Sequence, residues 1–176
     1  PLINIGRIHR EEGRLEEAEA AYRQALALDP NAVNAHWGLA HILLLRGDLL
    51  HGWEEYEWRW RLEERPCIPL RPEPVWRGEP CEARHMIVYA EQGLGDAIQF
   101  VRYVTMVLRR GARVTLLVPQ TLLRLFQAIP GIAVIASGDT PDISGDLQCS
   151  LLSLPKIFGT TLSSIPVQTP ALRAPE

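Results

Sequence analysis

A period of 34 residues runs through the first part of the chain and constrains its fold more than any other feature. Two stretches align so that every matched pair lies 34 positions apart: Leu2 with His36, Ile5 with Leu39, Gly6 with Ala40, Gly13 with Gly47, Ala18 with Gly52, Tyr22 with Tyr56, and Ala25 with Arg59. Apolar positions and turn positions recur together. One structural unit is therefore present twice within residues 1–65.

This period is typical of tetratricopeptide repeats (TPRs), in which each unit is a pair of antiparallel helices. We predict that the small residue at Ala18 and at Gly52 lets the two helices of a unit pack closely. Pro30 ends the first unit, because proline lacks the amide hydrogen that a helix needs. Residues 1–65 are thus predicted to be the end of a longer TPR array, since stacked repeats need about three units. Another bundle of helical hairpins is the alternative.

The last repeat helix, predicted from Leu49 to about Glu64, carries an aromatic face. Trp53, Tyr56 and Trp60 are spaced by three and four residues, which places them on one side of a helix. We interpret this face as the seam between the repeats and the next domain. The alternative is an exposed patch for a partner, because aromatic side chains are favoured as interface anchors.

Composition and charge exclude several classes of function. The net charge of −3 over 176 residues argues against a nucleic-acid-binding surface, which is basic. The chain has no apolar run of about 18 residues, so no membrane span is predicted. Cys67, Cys81 and Cys149 indicate neither a disulfide framework nor a zinc site, and His36 and His41 lack metal-ligand spacing. We predict a cytoplasmic protein without cofactor or metal.

A proline-rich connection is predicted at residues 66–82. Its prolines are Pro66, Pro69, Pro72, Pro74 and Pro80. They exclude a regular helix and favour an extended chain, so we place the domain boundary here. Trp76 is interpreted as an anchor that holds the connection against a domain surface, and a ligand contact is the alternative.

Residues 83–176 alternate between strand and helix patterns. Strands are predicted at residues 85–90, 113–118, 132–136 and 147–150, and helices at residues 97–110, 121–129 and around 152–158. Single helices between strands imply a parallel βαβ sheet. The predicted fold class is therefore α+α/β, with TPR hairpins followed by a Rossmann-like half-domain. In such sheets, ligands bind beyond the carboxyl ends of the strands.

The loop after the first predicted strand is the candidate site. Gly93 and Gly95 lack Cβ atoms, so the backbone can turn tightly and a ligand can come close. The helix that follows directs unpaired N–H groups to the same place, which suits a phosphate or another anion. Asp96 has two roles open to it: it accepts a proton from an attacking hydroxyl group, or it caps the helix. Glu91 has the same two roles open.

Two nucleotide-binding motifs are absent from this loop. A dinucleotide fingerprint needs a third glycine where Ile98 stands and an acidic residue where Pro119 and Gln120 stand. A P-loop needs a Gly-Lys-Ser/Thr sequence, which the chain lacks.

The chain resembles a known family at residues 76–78, 91–103, 151–155 and 158–161. These segments are similar to bacterial TPR proteins that carry a heptosyltransferase-like domain. Such domains resemble family 9 glycosyltransferases, whose GT-B fold has two Rossmann-like halves around a cleft. Residues 83–176 would form the N-terminal half. The Gly-Asp pair of that family matches Gly95 and Asp96.

The resemblance implies an inverting sugar transfer from a nucleotide-diphosphate sugar. Asp96 would deprotonate the acceptor hydroxyl group, with Glu91 as a second catalytic candidate. The residues expected to bind substrate are Gln92, Gly93, Leu94, Gly95 and Gln99. In GT-B enzymes the C-terminal half holds most of the sugar nucleotide, so we expect this chain alone to be inactive.

Two classes of function follow from the sequence. In the first, the TPR groove binds a protein or another acceptor partner, and the α/β half supplies the acceptor side of a sugar-transfer cleft. In the second, the protein is a non-catalytic TPR scaffold whose α/β domain has lost its chemistry. Fold analogy does not separate the two classes, because one fold serves many functions.

Overall fold

The computed structural model describes residues 1–62, 71–137 and 143–167. The chain divides into two compact units. One unit comprises Pro1–Cys67 with Gly159–Ile165, and the other comprises Ile68–Phe158 with Pro166–Glu176. The predicted boundary at residues 65 and 66 lies outside the described residues, as does Cys67.

The first unit consists of two helical hairpins. Its elements are α1 (Leu2–Glu11), α2 (Leu15–Leu28), α3 (Val33–Leu45) and α4 (Leu49–Tyr56), followed by a 3₁₀ turn at Glu57–Arg61 and another at Leu162–Ser164. Gly13 and Gly47 make the turns within the hairpins with φ of 76° and 82°, a backbone conformation that favours glycine. The prediction of repeated helical hairpins is confirmed.

The last repeat helix is shorter than predicted. It ends at Tyr56 and continues as the 3₁₀ turn, while residues 63 and 64 lie outside the described part. The buried Arg59 donates a hydrogen bond to the carbonyl oxygen of Tyr56 at 3.3 Å. Because the last carbonyls of a helix lack partners within it, such a bond stabilises an early helix end. The side chain of Arg59 therefore contributes to the early end of α4, which the apolar pattern of the sequence did not predict.

Tyr56 belongs to the packing inside the repeat unit. Its ring lies 4.8 Å from that of Trp37 on α3 and 5.3 Å from that of Trp53, measured between ring centroids. Trp60 lies in the 3₁₀ turn and is 43% exposed. The three aromatic residues thus differ in burial, and the seam with the next domain stays a prediction.

The core of the helical unit forms where α2 packs against α1 and α3. Its buried members are Ala18, Tyr22, Ala25, Ala35, Leu39, Ile42 and Leu43. The ring of Tyr22 lies over two glycines, Gly6 of α1 and Gly38 of α3, and a Cβ atom at Gly6 would be only 2.8 Å from that ring. Helices without side chains at these positions let the aromatic ring fill the space between them.

The second unit is a four-stranded parallel sheet. The strands are β1 (His85–Tyr89), β2 (Arg113–Val118), β3 (Ile132–Ala136) and β4 (Leu147–Ser150). Their spatial order is β3-β2-β1-β4, with Val88 paired with Leu116 on one side and with Cys149 on the other. The parallel α/β prediction is confirmed; β2, β3 and β4 have the predicted bounds, and β1 ends one residue early.

The helices of the sheet unit are shorter than predicted. They are α5 (Leu94–Phe100), α6 (Val104–Arg109), α7 (Leu123–Phe126) and α8 (Leu154–Ile157). The predicted helix at residues 97–110 is divided by the 3₁₀ turn Val101–Tyr103, and the one at 121–129 begins with the 3₁₀ turn Gln120–Leu122. The 3₁₀ turn Leu151–Ser153 precedes α8.

The described part of the proline-rich connection packs along β4. Val75 forms a parallel bridge with Gln148, and the Trp76 amide donates to the Gln148 carbonyl oxygen at 2.8 Å. The Trp76 side chain is buried, and its indole N–H donates to the carbonyl oxygen of Glu79 at 2.8 Å. The interpretation of Trp76 as an anchor agrees with this burial.

No helix among the described residues is long and apolar enough to span a membrane.

Candidate functional site

The strand order reverses between β1 and β4. The chain moves from β1 through β2 to β3 on one side, and then returns to place β4 on the other side of β1. In parallel sheets, such a reversal opens a crevice at the carboxyl ends of the two strands, where ligands bind. The loop after β1 and the 3₁₀ turn after β4 both follow these ends. The candidate site of the sequence analysis therefore lies at the switch point.

Glu91 lies at the base of this site. Its side chain is buried, with the residue 6% exposed, and one carboxylate oxygen accepts a hydrogen bond from the hydroxyl group of Ser150. The same Ser150 oxygen accepts the N–H of Leu152 at 3.0 Å. One buried hydroxyl group thus connects the loop after β1 with the turn after β4.

Sequence reasoning missed Ser150. The available signal was a serine at the end of a buried strand, directly before Leu151 and Leu152. Serine is a preferred cap, because its oxygen accepts a backbone N–H at the start of a helical turn. The bond with Glu91 spans 59 positions in the chain, and no local pattern reports it.

Asp96 lies in the first turn of α5 and is partly buried. One of its carboxylate oxygens accepts the backbone N–H of Gly93 at 3.1 Å. This is the helix-capping role that the sequence left open beside the role of a base. The residue is partly exposed, so the bond does not by itself exclude a chemical role for Asp96.

The turn before α5 does not depend on its glycines in the expected way. The residue with positive φ is Gln92, at 67°, whereas Gly93 has φ −82° and ψ 162°, an extended conformation. A Cβ atom at Gly95 would meet no other atom within 4 Å. The left-handed residue of the turn is therefore Gln92 and neither of the two glycines. Gly95 instead leaves open space beside the first turn of α5.

The start of α5 is poorly suited to phosphate. Asp96 already accepts the N–H of Gly93, and its negative charge lies at the same helix end. A carboxylate there offsets the partial positive charge that attracts anions to helix N-termini. The Asp96 carboxylate therefore makes this helix end less favourable for a phosphate than the sequence analysis expected.

The predicted substrate-binding residues lie on the surface of this region. Gln92, Gly93, Leu94, Gly95 and Gln99 are all exposed. The first four form a continuous segment at the switch point, and Gln99 lies a turn further along α5. Their part in binding stays a prediction.

His36 and His41, which lack metal-ligand spacing in the sequence, make structural contacts. The His36 ring stacks on that of Trp58 with 3.6 Å between centroids, and one ring nitrogen lies against the Glu55 carboxylate. His41 contacts the carbonyl oxygen of Trp37 at 2.7 Å. Within the described ranges, no group of three or more His, Cys, Asp or Glu residues could hold a metal ion.

Comparison with known proteins assigns the class of the helical unit. Residues 6–47 match a family described as TPR repeat. A stretch of 100 residues, 56% of this chain, is 32% identical to Protein FlbA of Caulobacter vibrioides, and the match covers 16% of that protein's length. The chain therefore joins helical repeats of the TPR type, a class that serves as protein-interaction modules, to a parallel α/β unit.

Proposed function

We propose that this chain is part of a TPR-containing, glycosyltransferase-like protein in which the α/β unit supplies the acceptor side of a sugar-transfer cleft. The observation that supports the proposal is the position of Asp96. Asp96 is partly exposed beside exposed Gln92 and Gly95, and it follows the carboxyl end of β1, where a reversal of strand order places ligands in parallel sheets.

The reaction needs a base at this position. Asp96 accepts the proton of an acceptor hydroxyl group while the acceptor oxygen bonds to the anomeric carbon of the sugar. The bond from that carbon to the nucleoside diphosphate breaks in the same step, and the diphosphate leaves with the electron pair. The inverting family that the sequence resembles works in this way. The donor is held by a second half of the GT-B fold, as the resemblance implies.

Glu91 is better placed to position the loop than to exchange protons with a ligand. It is buried, and its carboxylate accepts the hydroxyl hydrogen of Ser150. We assign it the role of holding the loop after β1 against the end of β4. Gln92, Gly93, Leu94, Gly95 and Gln99 then line the place of the acceptor.

The helical repeats bring the acceptor or a protein partner to the α/β unit. TPR-type repeats form extended concave surfaces that bind polypeptides. We place the protein in the cytoplasm, where nucleotide sugars are available as donors.

Asp96→Asn tests the proposal in the longer polypeptide that also carries the donor half. We expect transfer of radiolabelled sugar from nucleoside-diphosphate donors to fall by about 10²-fold or more, because a positioned base contributes on that order. Asp146→Asn is the matched control, since Asp146 accepts the His85 N–H at 2.7 Å at the amino end of the sheet, away from the crevice. Transfer retained by Asp96→Asn would contradict the role of Asp96.

The second candidate is a non-catalytic TPR scaffold. The bond between Asp96 and the Gly93 amide favours it, because helix capping alone accounts for an aspartate at this position. Absence of transfer by the unmodified polypeptide, with partner binding retained, would support the scaffold. Transfer by the present chain alone would overturn the assignment of the donor site to a second half.

A further inference from the structure

One residue of the candidate site has a backbone conformation that this chain otherwise gives almost entirely to glycine. Gln92 has a φ of 67°. Among the residues that the structure describes, the others with positive φ are glycines, apart from Ala83 at 58°. A left-handed backbone costs free energy for a residue with a Cβ atom, and glutamine is not among the types that are enriched there. Gln92 therefore stands where a glycine would be less strained.

Bonds on either side of Gln92 hold it in this conformation. Before it, the Glu91 carboxylate accepts the hydroxyl hydrogen of Ser150, and after it the Gly93 amide donates to Asp96 at 3.1 Å. A strained conformation persists when the surrounding contacts determine it, and such residues cluster at functional sites. Gln92 is exposed, so its side chain does not fill the core. Burial of the side chain thus does not offset the cost of the backbone.

We propose that Gln92 selects the acceptor, and that the acceptor is a polypeptide segment with a serine or threonine hydroxyl group. The side-chain amide of Gln92 hydrogen-bonds to a backbone peptide group of that segment, and the hydroxyl group is the one that Asp96 deprotonates. This assignment rests on the proposed function, in which Asp96 is the base. A glycine at position 92 would relieve the backbone, but it would also remove the amide that recognises the segment.

The exposed groups of this region fit a peptide. A glutamine amide carries an acceptor oxygen and an NH₂ donor, and a peptide group carries a C=O acceptor and an N–H donor, so the two can pair twice. Leu94 and Ile98 are 46% and 41% exposed and lie four residues apart on α5, where they offer apolar contact to side chains of the segment. The helical unit of the same chain is of the TPR type, whose concave surfaces bind polypeptides.

Two glycine substitutions in this chain test the cost of the left-handed backbone. Gln92→Gly and Ala83→Gly each place a glycine at positive φ, and Ala83 precedes β1 whereas Gln92 follows it. We expect both variants to unfold at an equal or higher urea concentration than the wild type, because glycine adopts this conformation without strain. A lower midpoint for Gln92→Gly alone would overturn the proposal, since it would show that the side chain serves the fold.

Binding is measured with a defined probe, the peptide acetyl-Ala-Ser-Ala-amide, added to the isotope-labelled chain. The probe should shift the amide NMR signals of residues 92–96. For Gln92→Gly we expect a dissociation constant at least about fivefold larger, because the hydrogen bonds of the amide are lost. Gln92→Asn should bind more tightly than Gln92→Gly, since asparagine keeps an amide and tolerates a left-handed backbone. Ala83→Gly is the matched control and should bind the probe like the wild type.

Two outcomes of the binding experiment would contradict the assignment. Equal affinity of the wild type and Gln92→Gly for the peptide would remove Gln92 from recognition. Signals of residues 92–96 that do not respond to the peptide, whether or not they respond to methyl glucoside, would exclude a polypeptide acceptor. Both outcomes are distinguishable from failure of the proposed function, because peptide binding is measured without a donor and the Asp96→Asn experiment measures transfer.

Discussion

Ser150, the last residue of β4, donates its hydroxyl hydrogen to the carboxylate of Glu91, which follows β1. Both residues are buried at the point where the strand order reverses. The bond therefore stabilises the base of the candidate crevice, and the exposed segment with Asp96 begins immediately beyond it.

Ser150→Ala should lower the free energy of unfolding by about 1–3 kcal/mol. The substitution removes the hydroxyl donor of a buried carboxylate and the acceptor for the N–H of Leu152. Urea unfolding measures the loss. Ser137→Ala, at an exposed residue that follows β3, is the control and should change stability little. Equal effects of the two substitutions would show that the Ser150 bond contributes nothing to the fold.

The order of the elements could be read from the sequence because local patterns encode them. β2, β3 and β4 have the predicted bounds, and β2 and β3 are short runs rich in apolar residues. The end of α4 at Tyr56 could not be read, because the apolar pattern continues beyond it and does not report the hydrogen bond from the buried Arg59 to the Tyr56 carbonyl oxygen. Arg59 stands where the first repeat has Ala25, and this difference accompanies the change to a 3₁₀ turn.

The location of the candidate site could be predicted from the sequence, but the contacts and backbone conformation within it could not. Glycines beside acidic residues after a buried strand indicated the carboxyl end of the sheet. The partner of Glu91 is distant in the chain, and the left-handed backbone falls on Gln92 instead of a glycine. Such features depend on tertiary contacts, which local propensities do not report.

The contribution of Glu73 to stability should depend on pH. Burial alone would raise the pKa of its carboxyl group, but hydrogen bonds from Arg71 and from the Gly145 amide outweigh burial and lower the pKa. Because the pKa of Glu73 is lowered in the folded state, its ionised carboxylate stabilises the fold at pH values above the pKa of a glutamate in the unfolded chain, which is about 4.3. This stability is lost as the pH falls through the lower, folded pKa.

Glu73→Gln isolates this effect. We expect the variant to be less stable than the wild type near neutral pH, and the difference in free energy of unfolding to shrink as the pH falls from about 5 towards the folded pKa. Urea unfolding at a series of pH values measures it, with Glu82→Gln at an exposed position of the same unit as control. If the difference in free energy of unfolding between the wild type and Glu73→Gln stays constant with pH, the hydrogen bonds do not preferentially stabilise the ionised form of Glu73.

Gly38→Ala should destabilise the helical unit, whereas Gly95→Ala should leave the α/β unit intact. A methyl group at Gly38 would overlap the buried ring of Tyr22, and overpacking of this kind costs about 1–3 kcal/mol. The gain from alanine in a helix is only about 0.5–1 kcal/mol, so the clash outweighs it. At Gly95 no atom lies within 4 Å of the added methyl group, and the helix gain remains.

Thermal unfolding followed by circular dichroism measures both substitutions. Tyr22→Leu combined with Gly38→Ala provides the test of cause: if the ring is the obstacle, the double variant should lose less stability than the sum of the two single losses. Additive losses would mean that the glycine at position 38 serves another purpose. Because Gly95→Ala keeps the fold, any loss of acceptor binding that it causes can be attributed to the space that Gly95 leaves open beside Asp96.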